Sequence, residues 1–137
     1  INGYNADITR TFFLNYAEDY QKSFYQTVLK ANLLGIEKSK VGKTLDEVDD
    51  SVLSSLEESS YREYIVHKTG HGLGLDVHED PYVVRGNQET LMEGMVITIE
   101  PGLYNQKILG VRIEDDIHIT SEGPEILTSF TKNLTII

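Results

Sequence analysis

Met95-Val-Ile-Thr-Ile-Glu100 sets the frame for reading this chain. Successive side chains of a strand point to opposite faces, so Met95, Ile97 and Ile99 share one face and Val96, Thr98 and Glu100 the other. The first set makes a core face. The second ends in a carboxylate, which the following Pro101 holds in an extended conformation. A carboxylate in a buried strand is costly unless it is paired or binds a metal. The same tension recurs in Val111-Arg-Ile-Glu-Asp-Asp-Ile117, where alternation puts Arg112, Glu114 and Asp116 on one face and Val111, Ile113, Ile117 and Ile119 on the other. A third segment, Tyr4–Leu14, reads as a strand with Ile8 and Phe12 on one face and Asp7, Thr9 and Thr11 on the other. Three strands can thus aim a carboxylate at one place.

Between them lies His71-Gly-Leu-Gly-Leu-Asp-Val-His78-Glu79, two histidines and a glutamate among glycines too small to cover them. Carboxylates with one or two imidazoles suit a hard or borderline dication such as Mn²⁺, Co²⁺, Fe²⁺ or Zn²⁺. Several carboxylates together suit a pair of such ions, which can activate a shared water and polarise a carbonyl. Each residue also has a plainer reading. A lone histidine is usually structural. Glu100 could pair with a buried arginine, Glu114 with Arg112 on its own face, and Asp7 with Arg10 at the surface. Asp115, Asp116 and Glu122 read as solvent-facing or turn residues.

The remaining segments give the fold class. Ala17 to about Lys38 reads as an amphipathic helix, with Tyr20, Phe24 and Val28 in one row and Tyr25, Leu29 and Leu33 beside it. Thr44-Leu-Asp-Glu47 has the spacing of a capping box and opens a second helix, whose stripe is Leu45, Val48, Val52, Leu53 and Leu56 and whose acids read as mostly surface. Strand-like runs follow around Tyr64–Val66, Val83–Val84, Met95–Ile99 and Val111–Ile119. Gly102 and Gly110 bracket a hairpin loop, and Leu134–Ile137 makes a last short strand. A strand, two helices and then mostly strands is an α+β order, with helices covering one face of a mainly antiparallel sheet. No repeat or linker divides the chain, so residues 1–137 are expected to form one domain or part of one.

Bulk composition narrows the function classes. The chain has 137 residues, 39% hydrophobic and 25% charged, as in folded water-soluble domains. It has no cysteine, which excludes disulfides, thiolate zinc sites and cysteine nucleophiles. A net charge of −10 makes it a poor partner for nucleic acid or an anionic membrane. No apolar run approaches the ~18 residues that span a bilayer, and no leader resembles a signal peptide. A cytoplasmic location is expected.

Taken together, four stretches resemble the successive motifs of the pita-bread metallopeptidases: Gly3-Tyr-Asn-Ala-Asp7-Ile-Thr-Arg-Thr-Phe12, Gly70-His71-Gly72-Leu-Gly-Leu-Asp-Val-His78-Glu79, Ile97-Thr-Ile-Glu100-Pro101-Gly102 and Val111-Arg-Ile-Glu114-Asp115. That family includes methionine aminopeptidases, aminopeptidase P, prolidase and creatinase. Order and intervals resemble the prolidase and aminopeptidase P branch, and the resemblance covers nearly the whole chain. It implies an incomplete pita-bread fold, a curved and mainly antiparallel sheet covered by helices, with residues 1–137 as the C-terminal portion of the catalytic domain. It implies that Asp7, His71, Glu100 and Glu114 are metal ligands for two divalent ions, Mn²⁺ or Co²⁺ first and Zn²⁺ or Fe²⁺ as alternatives. Glu100 is then also the proton shuttle between the attacking water and the leaving nitrogen. His78 binds the substrate carbonyl, His67 lines the pocket, and Arg112 binds substrate and orders the carboxylates.

The implied reaction is hydrolysis of a peptide with proline at its second position, by an enzyme that forms a homodimer. The family has one further aspartate ligand, eleven residues before the position of Asp7 and therefore outside this sequence. The chain by itself is expected to be inactive. Two other readings stay open: a pita-bread module that binds peptide or protein without catalysis, and a creatinase-like hydrolase of a small C–N bond.

Overall fold

A computed structural model describes residues 2–137. Two helices, α1 (Asp19–Lys38) and α2 (Leu45–Glu57), pack against each other and cover one face of the strands. The expected box opens α2: the Glu47 amide donates to Thr44 Oγ1 at 3.1 Å and the Thr44 amide donates to Glu47 Oε2 at 3.0 Å. These bonds satisfy donors that a helix start leaves unpaired.

The main sheet has five antiparallel strands in the order β3 (Glu79–Val83), β2 (Gly70–Gly72), β4 (Val96–Ile99), β7 (Asp115–Thr120), β8 (Gly123–Ile126). A separate hairpin joins β5 (Gly102–Asn105) to β6 (Leu109–Arg112). Near the two chain ends, β1 (Phe12–Phe13) runs parallel to β9 (Thr135–Ile136).

The core has two parts. Phe24, Tyr25, Val28 and Ala31 of α1, with Val52 and Leu56 of α2, pack on Leu103, Val111 and Ile113 of the hairpin side. Ile36, Leu45 and Val48 pack on Ile97, Ile99, Ile117 and Ile119 of the main sheet. The alternation read from Met95–Glu100 is therefore realised, with Ile97 and Ile99 fully buried and Met95 half-buried against the same cluster. Gly35 lets α1 approach this closely. A Cβ there would lie 2.6 Å from Val52 Cγ2 and 2.9 Å from Ile99 Cγ2.

Several sequence expectations need correction. Tyr4–Leu14 is not one strand: Phe12–Phe13 is strand, and Thr9 makes a single bridge to Glu114. Ile8 and Phe12 are exposed, as are Tyr20 and Leu33 on α1. Tyr64–Val66 is not a strand, because a short 3₁₀ turn, Arg62–Tyr64, takes its start. The hairpin loop is shorter than Gly102 and Gly110 suggested: both glycines lie within strands, and Asn105 pairs directly with Leu109.

Val111–Ile119 is divided. Its first part pairs with β5 and its second with β4, because the chain changes sheets at Ile113–Glu114. Strands β2 and β8 carry no alternation to reveal them. One is Gly-His-Gly and the other begins with Gly123-Pro124, a turn-like pair.

Replacing Gly35 with alanine is expected to lower stability by about 1–3 kcal/mol through overpacking. Val52 and Ile99 are β-branched and cannot swing away, which outweighs the ~1 kcal/mol gained in helix propensity. Urea unfolding of the two forms measures the difference.

Candidate metal centre

Asp7, His71 and Glu114 converge, each offering a ligand atom within 4.8 Å of the other two. They come from three parts of the chain. Glu114 stands at the junction of β6 and β7, where the bridge to Thr9 brings the Asp7 segment alongside. Thr9 Oγ1 donates to Glu114 Oε2, and the Asp7 amide donates to Asp116 Oδ2 at 3.0 Å.

His71 sits in β2 and is buried. Its amide donates to Thr98 Oγ1 at 3.0 Å, and its Nδ1 lies 2.9 Å from the Gly72 carbonyl. A carbonyl only accepts, so Nδ1 carries a proton and Nε2 is the nitrogen left to meet a cation. Nε2 faces the acidic group, 3.4 Å from Glu100 Oε1.

Glu100 follows β4 directly and has its side chain 12% exposed. Burial, and then the nearby charges of Glu114 and Asp7, push its carboxyl up to about 7, against the pull of Arg112. Burial likewise raises Glu114, although its bond from Thr9 opposes this. Asp116, also buried, is pushed up to about 6 by burial and its acidic neighbours, although the Asp7 amide stabilises its charge. Its second oxygen, Oδ1, has no hydrogen-bond partner. Crowded carboxylates beside a bare imidazole nitrogen form the donor set that a divalent cation satisfies.

A second layer orders Glu100. Arg112 Nη1 lies 3.3 Å from Glu100 Oε2, and Arg112 Nε donates to Tyr104 Oη at 2.7 Å. Tyr104 in turn lies 2.9 Å from His67 Nε2, and His67 Nδ1 lies 2.7 Å from the Lys68 carbonyl. Donor counting then fixes the direction: arginine gives to the phenol, the phenol gives to imidazole Nε2, and Nδ1 gives to the carbonyl. A neutral His67 agrees with its pKa, which burial lowers despite the Lys68 bond.

Two glycines seat the Tyr104 ring. A Cβ on Gly102 would fall 2.6 Å from Tyr104 Oη, and one on Gly110 would fall 2.9 Å from Tyr104 Cδ1.

Behind the centre, Asp115 is fully buried and accepts from Arg10 Nη2 at 2.6 Å, Thr128 Oγ1 at 2.7 Å and Lys132 Nζ at 2.8 Å. Burial alone would raise its carboxyl, and these partners together hold it below its usual range. Arg10 Nη1 also donates to the Glu114 carbonyl at 2.6 Å.

The plainer readings therefore change. Arg10 serves Asp115 and not Asp7, and Arg112 serves Glu100 and not Glu114. Asp115 and Asp116 are buried and not solvent-facing, because Ile113–Asp116 is covered on both faces by α1 and the Asp7 segment. Glu122 is exposed as expected.

A cavity of about 440 Å³ opens over this arrangement, with His67, His71, His78, Tyr82, Glu100 and Arg112 in its walls. Asp7 and Glu114 lie outside that lining. His78 is exposed, its ring 4.5 Å from that of His71. Tyr104 and Lys132 had no sequence signal of their own, apart from the glycine pair that frames Tyr104, and Arg10 was read with the wrong partner.

The model of metallopeptidase family M24 matches residues 1–121. The chain belongs to that family. It is 47% identical over 131 residues to the Xaa-Pro dipeptidase of Pyrococcus horikoshii, covering 96% of this chain and 37% of that protein. It is 44% identical to the putative dipeptidase YkvY of Bacillus subtilis, over 100% of this chain and 38% of that protein. Among solved structures, the Xaa-Pro dipeptidase from Bacillus anthracis superposes with a TM-score of 0.95 at 44% identity, over 98% of this chain and 38% of that one.

The fold is thus the pita-bread fold of M24 enzymes, present in part, and the chain spans about 38% of the length of such relatives. The family implies divalent metal, and the donor set fits it. No helix among the described residues is long and apolar enough to cross a membrane.

Two outcomes are expected. Asp115→Ala leaves Arg10 and Lys132 buried without their partner, which should cost about 3–5 kcal/mol and show as a lower urea midpoint. The pH dependence follows from Glu100 and Asp116, which bind protons more tightly folded than unfolded. Their contribution to stability is therefore complete at low pH and is lost as pH rises through about 6 and about 7. Metal-free protein should melt higher at pH 5 than at pH 8, and Mn²⁺ should raise Tm at pH 8 far more than at pH 5. Equal Mn²⁺ shifts at both values would contradict this account.

Proposed function

We propose that the protein carrying this chain is a dinuclear metal-dependent exopeptidase that hydrolyses Xaa-Pro bonds, as prolidase or aminopeptidase P. The observation that carries the reading is the meeting of Asp7, His71 and Glu114 within 4.8 Å, with Glu100 against His71. The Xaa-Pro dipeptidases among its relatives support the substrate class.

Asp7, His71, Glu100 and Glu114 would hold two divalent ions, Mn²⁺ or Co²⁺ before Zn²⁺ or Fe²⁺, which when bound supply Lewis acidity and a nucleophile at neutral pH. Cleavage of an Xaa-Pro bond releases a secondary amine, which needs a proton to leave. Glu100 can take a proton from the attacking water and return it to that nitrogen. Arg112, itself fixed by Tyr104, holds the Glu100 carboxylate in line.

His78 stands exposed beside His71, free to donate to the scissile carbonyl. His67, neutral and tied to Tyr104, gives the pocket a polar wall without a charge. A peptide with proline second is the expected occupant of the cavity.

The test uses the full-length protein with Mn²⁺ or Co²⁺ and an Xaa-Pro dipeptide. Wild type is expected to hydrolyse it, and Glu100→Ala to lose about 10²–10⁴-fold in kcat. Undiminished turnover in that variant would remove Glu100 from the mechanism.

A further inference from the structure

Asp49 lies on α2, outside the centre described above, and is 1% exposed. The neighbouring acids Asp46, Glu47 and Asp50 all reach solvent, so Asp49 is the exception among helix acids that read as mostly surface. Its Oδ1 accepts from Thr69 Oγ1 at 2.6 Å, and its Oδ2 has no hydrogen-bond partner. Burial, with a smaller push from Asp46, raises its carboxyl, and the Thr69 bond, the Arg85 charge and the Arg85 backbone amide oppose this. A half-satisfied buried carboxylate is poor value for stability, since an apolar residue of similar size avoids its desolvation. The place to look for its use is Thr69.

Thr69 is also 1% exposed, and its carbonyl accepts the Glu100 amide at 2.8 Å. Two residues on, the His71 amide donates to Thr98 Oγ1. The segment Thr69–His71 and the segment Thr98–Glu100 are thus joined by crossed bonds, one from each strand. Between the two bonds sits Gly70, where a Cβ would lie 1.9 Å from the Thr98 carbonyl oxygen. No side chain fits between the two backbones there, and a shift of Thr69 is passed to Glu100 through the Thr69 carbonyl. Asp49 is the helix-side anchor of that joint.

We propose that Asp49 is a positioning residue for the metal and proton-transfer site: through Thr69 it sets where Glu100 stands relative to His71. The proposal rests on the role given to Glu100 above. It adds a residue on the far side of the sheet, separated from the reacting groups by one side chain and one peptide unit.

The test uses four variants of the full-length, Mn²⁺-loaded protein: Thr69→Val, Thr69→Ser, Asp49→Leu and the Asp49→Leu/Thr69→Val pair. Thr69→Val keeps the side-chain shape and removes the hydroxyl, so it remains informative if Asp49→Leu fails to fold. The expected result is a fall in kcat of about tenfold for Thr69→Val, the scale of one broken buried hydrogen bond, with KM unchanged. Thr69→Ser should restore kcat, and the double variant should be no worse than Asp49→Leu alone.

Hydrogen exchange at the Glu100 amide supplies a readout independent of turnover, and should quicken in Thr69→Val and return in Thr69→Ser. If the wild type does not cleave Xaa-Pro dipeptides, the functional reading fails and the exchange measurement still decides the positioning. An unchanged Glu100 exchange rate in Thr69→Val overturns the proposal. So does a loss confined to KM, an absence of rescue by serine, or losses that multiply in the double variant.

Discussion

The Arg10–Asp115 ion pair governs where the acidic donors stand. It closes at 2.6 Å with 5% and 0% of the two side chains exposed. Arg10 spends its remaining donors on the Glu114, Phe130 and Thr131 carbonyls, so one guanidinium pins the Asp7 segment to the β6–β7 junction and to the chain beyond β8. Lys132 adds a second cation to the same carboxylate. Two carboxylates about 4 Å apart repel by roughly 4 kcal/mol at the effective dielectric of a protein surface. Asp7, Glu114 and Asp116 are gathered against that repulsion, and a positive cluster directly behind them offsets part of it. The carboxylates that remain unpaired are left for a cation to answer.

The other wall is ordered by a one-way chain of hydrogen bonds behind a single cation. Arg112, Tyr104 and His67 pass a single direction of hydrogen bonding from the guanidinium to the Lys68 carbonyl. Each member leaves the next with one allowed role. The phenol cannot donate back to arginine, and the imidazole cannot be protonated on both nitrogens while it accepts from the phenol. Glu100 therefore faces an arginine whose orientation is set from outside the centre, and a histidine, His71, whose tautomer is set by its own strand. Rigid elements hold both, as a site with little reorganisation requires.

Much of this was legible in the sequence wherever one face of an element is buried and the other is not. Strand β4 obeys that condition, so alternation separated Ile97 and Ile99 from Glu100 correctly. The α2 capping box depends on four consecutive residues and was equally readable. Alternation stops being informative at Ile113–Asp116, because the chain there leaves one sheet for another and is covered on both sides. Asp115 and Asp116 were consequently mistaken for surface residues. Asp49 was missed for a related reason: an acid on an amphipathic helix is normally solvated, and its partner Thr69 is a chemically unremarkable residue in a loop. Tyr104 carries no signal of its own in the sequence. The glycines that seat it lie two and six positions away in sequence and meet its ring once the hairpin's two strands pair, a relation that exists after pairing and not in the linear order.

The span of the Thr9–Glu114 contact has a consequence for synthesis. These partners are 105 residues apart, and the hydrogen bonds of Asp7 and Thr11 reach equally far, to Asp116 and Arg112. Closing so long a loop is entropically unfavourable and slow compared with forming the local helices. On a ribosome, α1 and α2 can coil and begin to pack while the other strip of the site is still untranslated. The carboxylates that repel one another are thereby kept apart until the strands that sort them, and the lysine behind them, have emerged.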